Sequence, residues 1–169
     1  MESKIVAVFP TLGKTYYAKH HPKVALDLES SQFMFDRTGY EDMDPEQFKG
    51  LPNRVPNPSG VGDYSRAIIT ASGSGQFRYI FISQHPEVIK KLIAAGKEIW
   101  FVIPTNTEEN RREFCKRALE RGNSTVWMKK VMDLFGRELT EDYTDAEIRH
   151  IHRVQLGRNI NLSDVLGLL

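Results

Sequence analysis

The stretch Lys4-Ile-Val-Ala-Val-Phe9-Pro-Thr-Leu-Gly13-Lys14-Thr15 decides the fold. Its first half is an apolar run rich in β-branched residues, the composition of a strand buried on both faces. Pro10 ends that run, and Tyr16 to His21 reads as a helix. Strand, tight turn, Gly-Lys-Thr and helix together form a phosphate-binding layout. Backbone N–H groups surround an anion, the lysine reaches its outer oxygens, and the hydroxyl takes a divalent cation. The full spacing asks for a glycine five residues before Gly13, where this chain has Val8.

Outward from this loop, Lys23 to Leu28, Phe77 to Ser83, Glu98 to Ile103 and Ile151 to Leu156 read as four further strands. Helix signals separate them. Asp63 starts a helix to Ser72, and His85-Pro86 starts one with Val88, Ile89, Leu92 and Ile93 at core spacing before Gly96. Thr105-Asn-Thr-Glu108 and Thr144-Asp-Ala-Glu147 are capping boxes, and Ser124 caps a helix through Phe135 with Val126, Trp127, Val131 and Leu134 inward. Apolar strands alternating with helices predict an α/β fold: a three-layer α/β/α sandwich around a mostly parallel sheet of four or five strands. A chain of 169 residues suits one such domain, residues 1–169. Residues 32–63 interrupt the alternation as a long, proline- and glycine-rich excursion. Only Asp44-Pro-Glu-Gln47 there carries helix-start chemistry, and segments this long are functional lids or disordered.

Composition excludes several classes. A hydrophobic share of 40% and a charged share of 27% are those of a globular protein, and a net charge of +1 argues against bulk attraction to nucleic acid or membrane. No apolar stretch approaches the ~20 residues that span a bilayer. The single cysteine, Cys115, suits a reducing, cytoplasmic compartment.

Chemistry then concentrates at the C-terminal ends of the strands, where open parallel sheets bind ligands. Asp27 interrupts an apolar strand and, by alternation, shares a side with Glu29, opposite Leu26 and Leu28. A carboxylate there could orient Mg²⁺ or hold an attacking hydroxyl; strand-end acids also cap turns. The third strand ends Ser83-Gln84, with no acid for a metal. Residues 105–123 form a basic helix with Arg111, Arg112, Lys116, Arg117 and Arg121, placed to close over a triphosphate like a lid, although Glu108, Glu109, Glu113 and Glu120 also make it an ordinary solvated helix. Phe33, Phe35, Arg37, Arg54 and Tyr64 could hold a base and an anionic group, or simply anchor the excursion. His20, His21, His150 and His152 lack a third ligand at useful spacing.

With the Gly-Lys-Thr start, Asp27-Leu-Glu-Ser-Ser31 after the second strand and arginines after the fourth, the chain resembles the P-loop small-molecule kinases. These include nucleoside and nucleotide monophosphate kinases and the shikimate and gluconate kinases. It is also similar to small phage-type nucleotide kinases in its shortened loop, its Glu29-Ser30-Ser31 turn and Arg121-Gly122-Asn123. The likeness runs from Lys4 to Asn123. It implies that Thr11, Leu12, Gly13, Lys14, Thr15 and Tyr16 bind ATP·Mg²⁺, with Thr15 and Asp27 at the metal. Lys14, Asp27, Arg117 and Arg121 would act in transfer. Residues 32–63 would receive the acceptor, with Glu29, Phe33, Arg37 and Tyr64 as its contacts. The expected function is an ATP- and Mg²⁺-dependent phosphotransferase acting on a nucleoside or nucleotide. A kinase of nucleic-acid 5′ ends and a degenerate nucleotide-binding or interaction module are the alternatives. Neither the acceptor nor the oligomeric state follows from the sequence.

Overall fold

A computed structural model describes residues 2–157 and 161–169. Five strands, β1 (Lys4–Val8), β2 (Ala25–Asp27), β3 (Tyr79–Ile82), β4 (Ile99–Pro104) and β5 (Ile151–Leu156), form one sheet in the order β2-β3-β1-β4-β5. Every pairing is parallel. β1 lies at the centre because all but its first residue is apolar and buried, as a strand with neighbours on both edges and helices on both faces requires.

Alternation along the strands builds two cores. Val6, Val8, Phe81 and Val102 face one layer, made by α1 (Lys14–His20), α6 (Glu108–Glu120), α7 (Thr125–Met132) and the short 3-10 turns of the C-terminus. Ile5, Ala7, Ile80, Ile82 and Phe101 face the other, made by α2 (Ser31–Met34), α4 (Gly60–Gly73), α5 (Pro86–Ala94) and α8 (Asp145–Ile148). α5 presents Val88, Ile89, Leu92 and Ile93 inward as its spacing predicts, each side chain contributing about 1.5–3 kcal/mol by leaving water. The helix after β1 thus packs on one face and the helix after β3 on the other. The two connecting loops diverge at the C-terminal edge of the sheet and open a crevice there.

Several local expectations shift. α4 begins at Gly60, three residues before Asp63, because Asn57 organises the entry: its carbonyl oxygen accepts from Ser59 N, and its amide donates to Asp63. Gly60 is required by packing, since an added Cβ would lie 2.8 Å from the Phe33 carbonyl oxygen. The cap of α6 is Thr107, whose hydroxyl accepts from Asn110 N, rather than Thr105. Val126 and Leu134, expected inward, are exposed instead, at 67% and 38%. Asp44, Ser124 and Thr144 all receive the first-turn N–H that their sequence context predicts.

The excursion is ordered around one aromatic. Its helix α3 (Pro45–Lys49) drives Phe48 into full burial, with Tyr40, Arg37 and Arg54 around the ring. An antiparallel bridge between Phe35 and Pro56 closes the base of this excursion.

Candidate active site

Val8, where the full motif has glycine, is the last residue of β1, 1% exposed and paired with Val102. No left-handed backbone is needed there. Within the loop, the positive φ angles fall instead on Thr11 (67°) and Gly13 (90°). Leu12 is buried and its carbonyl accepts from Leu162 N, so the loop is tied down from beneath. Gly13 begins α1 without a side-chain cap, which leaves the first-turn N–H groups of that helix to another partner.

From this loop, Lys14 and Thr15 both reach across to β2. Lys14 Nζ lies 2.7 Å from Asp27 Oδ1, and the Thr15 hydroxyl donates to Asp27 Oδ2 at 2.6 Å. Glu29, two residues on, takes Lys14 at 3.5 Å and Lys49 of α3 at 3.2 Å. Burial works to raise the Glu29 pKa, but the charges of Lys14 and Lys49, with hydrogen bonds from Lys49 and Ser31 N, hold it below the usual carboxylate range. Two carboxylates and two lysines thus neutralise one another at the rim of β2.

The end of β3 supplies no acid, as its sequence indicates. The Gln84 amide instead donates to the carbonyls of Ala7 and Val102, fastening β3 to β1 and β4 beneath the crevice. His85 places Nε2 3.3 Å from Ser30 Oγ, and Ser83 donates to the same hydroxyl. Desolvation at the cleft wall pushes the His85 pKa down, with Glu29 and Glu87 pulling the other way.

These groups line a cleft of about 950 Å³ that runs from the loop to the excursion. Of the predicted site residues, Thr11, Gly13, Lys14, Thr15, Tyr16, Glu29 and Arg121 open onto it. Arg121 has no carboxylate partner among the described residues. Asp27 sits just behind, reached through Lys14 and Thr15.

Other predicted residues have different work. Leu12 is a core residue. Arg117 pairs with Glu113 at 2.9 Å and approaches the Thr11 carbonyl at 3.4 Å, so it braces the loop from outside the cleft. α6 itself is anchored by buried Phe114 and Ala118 rather than hanging free over the cleft. Arg37, Phe33 and Tyr64, expected as acceptor contacts, lie outside the cleft lining and are engaged in packing. Arg37 donates to the carbonyls of Tyr40 and Met43. Phe33 stacks on Tyr64, whose hydroxyl donates to Leu28 O and accepts from Ser83 N beneath the cleft. In their place the structure brings Ser31, Lys49, Arg54 and His85 to the cleft wall. Arg54 stands out in sequence as an excursion arginine, whereas Lys49 carries no signal beyond its place in the last turn of the helix that Asp44 starts.

No family model and no curated protein matches the sequence. The fold, a five-stranded all-parallel sheet with the Gly-Lys-Thr loop after its central strand, does match solved structures. The chain is similar to the Deinococcus radiodurans tunicamycin resistance protein, with a TM-score of 0.56 and 15% identity over 98% of this chain and 92% of that one. A gluconokinase from Sinorhizobium meliloti 1021 follows at TM-score 0.51 and 13% identity, covering 98% and 87%. Among the described residues, no helix is long and apolar enough to cross a membrane, and no cluster of three His, Cys, Asp or Glu could hold a metal by itself.

Proposed function

We propose that this chain is an ATP- and Mg²⁺-dependent kinase of a small molecule, with a nucleoside or nucleotide as acceptor. The observation that carries the reading is the triad of Lys14, Thr15 and Asp27, assembled at 2.6–2.7 Å where the loop meets β2. Its donor set fits the group implied. A hydroxyl and a carboxylate are hard oxygen ligands for Mg²⁺, and a lysine beside uncapped N–H groups suits phosphate oxygens. Bound there, ATP·Mg²⁺ would supply the phosphoryl group. Thr15 and Asp27 would hold the metal, Asp27 directly or through water, while Lys14 turns from the carboxylates to the phosphates. Glu29 accepts a hydrogen bond from the acceptor hydroxyl and so orients it, and unpaired Arg121 neutralises charge that develops in transfer. The likeness to a gluconokinase supports a small-molecule acceptor; the nucleoside or nucleotide class is supported by the Glu29-Ser30-Ser31 and Arg121-Gly122-Asn123 segments. Calorimetry with ATP and Mg²⁺, followed by an acceptor screen for phosphorylated product, tests it. Binding and product are expected. Binding without product points to a sensor, and no binding to an interaction module.

A further inference from the structure

Three polar groups at the acceptor end of the cleft have chemistry that the kinase reading leaves unused. Ser31 is only 6% exposed and lines the cleft, yet its hydroxyl has no hydrogen-bond partner. Arg54 lines the same wall with Nη1 buried and unpartnered, and no carboxylate among the described residues pairs with its guanidinium. Its guanidinium carbon lies 3.9 Å from the ring of Phe35 and 6.0 Å from that of Phe48, contacts that orient the plane without satisfying its donors. Lys49 joins them from α3, drawn in by Glu29.

Charge bookkeeping around this wall is uneven. Asp27 and Glu29 are matched by Lys14 and Lys49. Arg54 is a further cation that no carboxylate answers among the described residues. A buried donor left unmade costs about 1–3 kcal/mol, more when charged, so two orphaned donors on one cleft wall mark a place built for an absent acceptor of hydrogen bonds. A planar guanidinium fork beside a hydroxyl matches a group with several oxygens in one cluster.

We infer that the phosphoryl acceptor is itself an anion, carrying a phosphate monoester or a carboxylate that docks on Arg54 and Ser31 with Lys49 alongside. In naming the ligand an acceptor, this inference rests on the kinase reading above. It keeps the small-molecule kinase part of that reading and replaces its acceptor class by charge: a neutral nucleoside would leave Arg54 and Ser31 unpaired, whereas a nucleoside monophosphate or a sugar acid would satisfy both. Lys49 has the further role of carrying α3 to Glu29, so the anion and the carboxylate that orients the hydroxyl are held by one segment.

The test is calorimetric titration without ATP, using AMP, gluconate and inorganic phosphate, with adenosine and glucose as uncharged counterparts. Wild-type protein is expected to bind AMP or gluconate at least tenfold more tightly than its counterpart, which of the two separates phosphate from carboxylate recognition. Arg54→Gln is expected to remove that preference, and Ser31→Ala to reduce it several-fold. Arg54→Lys keeps the charge and the packing stem against Phe35, so it guards against a folding defect; it is expected to bind more weakly than wild type with unchanged thermal unfolding. Equal affinity for charged and uncharged probes overturns the inference. So does wild-type anion binding by Arg54→Gln, which places the anion at the Gly13–Thr15 loop. Loss of phosphoryl transfer with the anion preference intact would instead remove the kinase reading and leave the anion site.

Discussion

Replacing Asp27 with asparagine separates the two duties that the structure gives this residue. Its carboxylate accepts from Lys14 at 2.7 Å and Thr15 at 2.6 Å, and its side chain is 9% exposed. Hydrogen bonds to a charged group contribute about 1.5–3 kcal/mol each. Asparagine keeps one acceptor oxygen, so one bond survives in weaker, neutral form. The other position becomes an amide donor, which the Thr15 hydroxyl meets only by turning to accept, and Lys14 shifts toward Glu29, already 3.5 Å away. The expected net loss is about 2 kcal/mol. For a chain of this length that lowers the melting temperature by roughly 4–8 °C. Urea unfolding reads the stability directly. Phosphoryl transfer titrated with Mg²⁺ reads the second duty: loss of a metal-orienting carboxylate should cost about 10- to 100-fold in activity, with a higher Mg²⁺ requirement. Without Mg²⁺, ATP should bind Asp27→Asn at least as well as wild type, because a negative charge has been removed from beside the phosphates. A variant destabilised as expected but with wild-type transfer and Mg²⁺ dependence would refute the metal role and leave Asp27 as a holder of Lys14. An unchanged unfolding midpoint would refute the energetic argument.

Other outcomes follow from single observations. Val8→Gly restores the full motif spacing yet removes a side chain buried at 1% exposure from the central strand, so it should cost about 2–4 kcal/mol in urea unfolding and bring no gain in ATP affinity. Gly60→Ala drives a Cβ to within 2.8 Å of the Phe33 carbonyl oxygen, a backbone atom that cannot turn aside, and should destabilise by about 1–3 kcal/mol. His85 is held below its ordinary 6.5, so the unfolded chain takes up the proton first. Its contribution is therefore full above that value and is lost as pH falls from 6.5 through the folded pKa; melting temperatures between pH 7 and 5 should decline, and His85→Asn should flatten the decline. Glu29, held below 4.5, contributes fully above that value and loses its contribution as pH falls through its folded pKa, so a separate fall in stability is expected in stronger acid.

The features most legible in sequence were those carried by unbroken local patterns. The apolar run Lys4–Phe9 ending in Gly13-Lys14-Thr15 announced both the central strand and the loop, and the stripe on α5 announced the face that covers one side of the sheet. α2 stayed hidden because four residues are too few to show a helical period. Thr105 and Thr107 offer the same cap chemistry two residues apart, and only the structure selects Thr107. Val126 belongs to a helix that is apolar on more than one side, so composition alone could not say which side packs. Among the candidate site residues, Lys14 and Thr15 were legible from the Gly-Lys-Thr turn that opens α1, and Asp27 and Glu29 from their place at the end of β2. Lys49 was not, since its contact with Glu29 spans twenty positions through the fold of the excursion. Arg37 and Arg54 look alike in sequence; one donates to backbone carbonyls and the other keeps its donors for the cleft.

The most direct test of a phosphoryl-transfer site at this loop is transfer of the γ-phosphate of labelled ATP, in Mg²⁺, to a panel of nucleosides, nucleoside monophosphates and sugar acids, by wild type and Lys14→Ala side by side. Labelled product from wild type and a fall of about 100-fold or more in the variant are expected, the scale set by removing one positioned group that meets transition-state charge. Undiminished product from Lys14→Ala, or no labelled product from wild type with any acceptor, would contradict it.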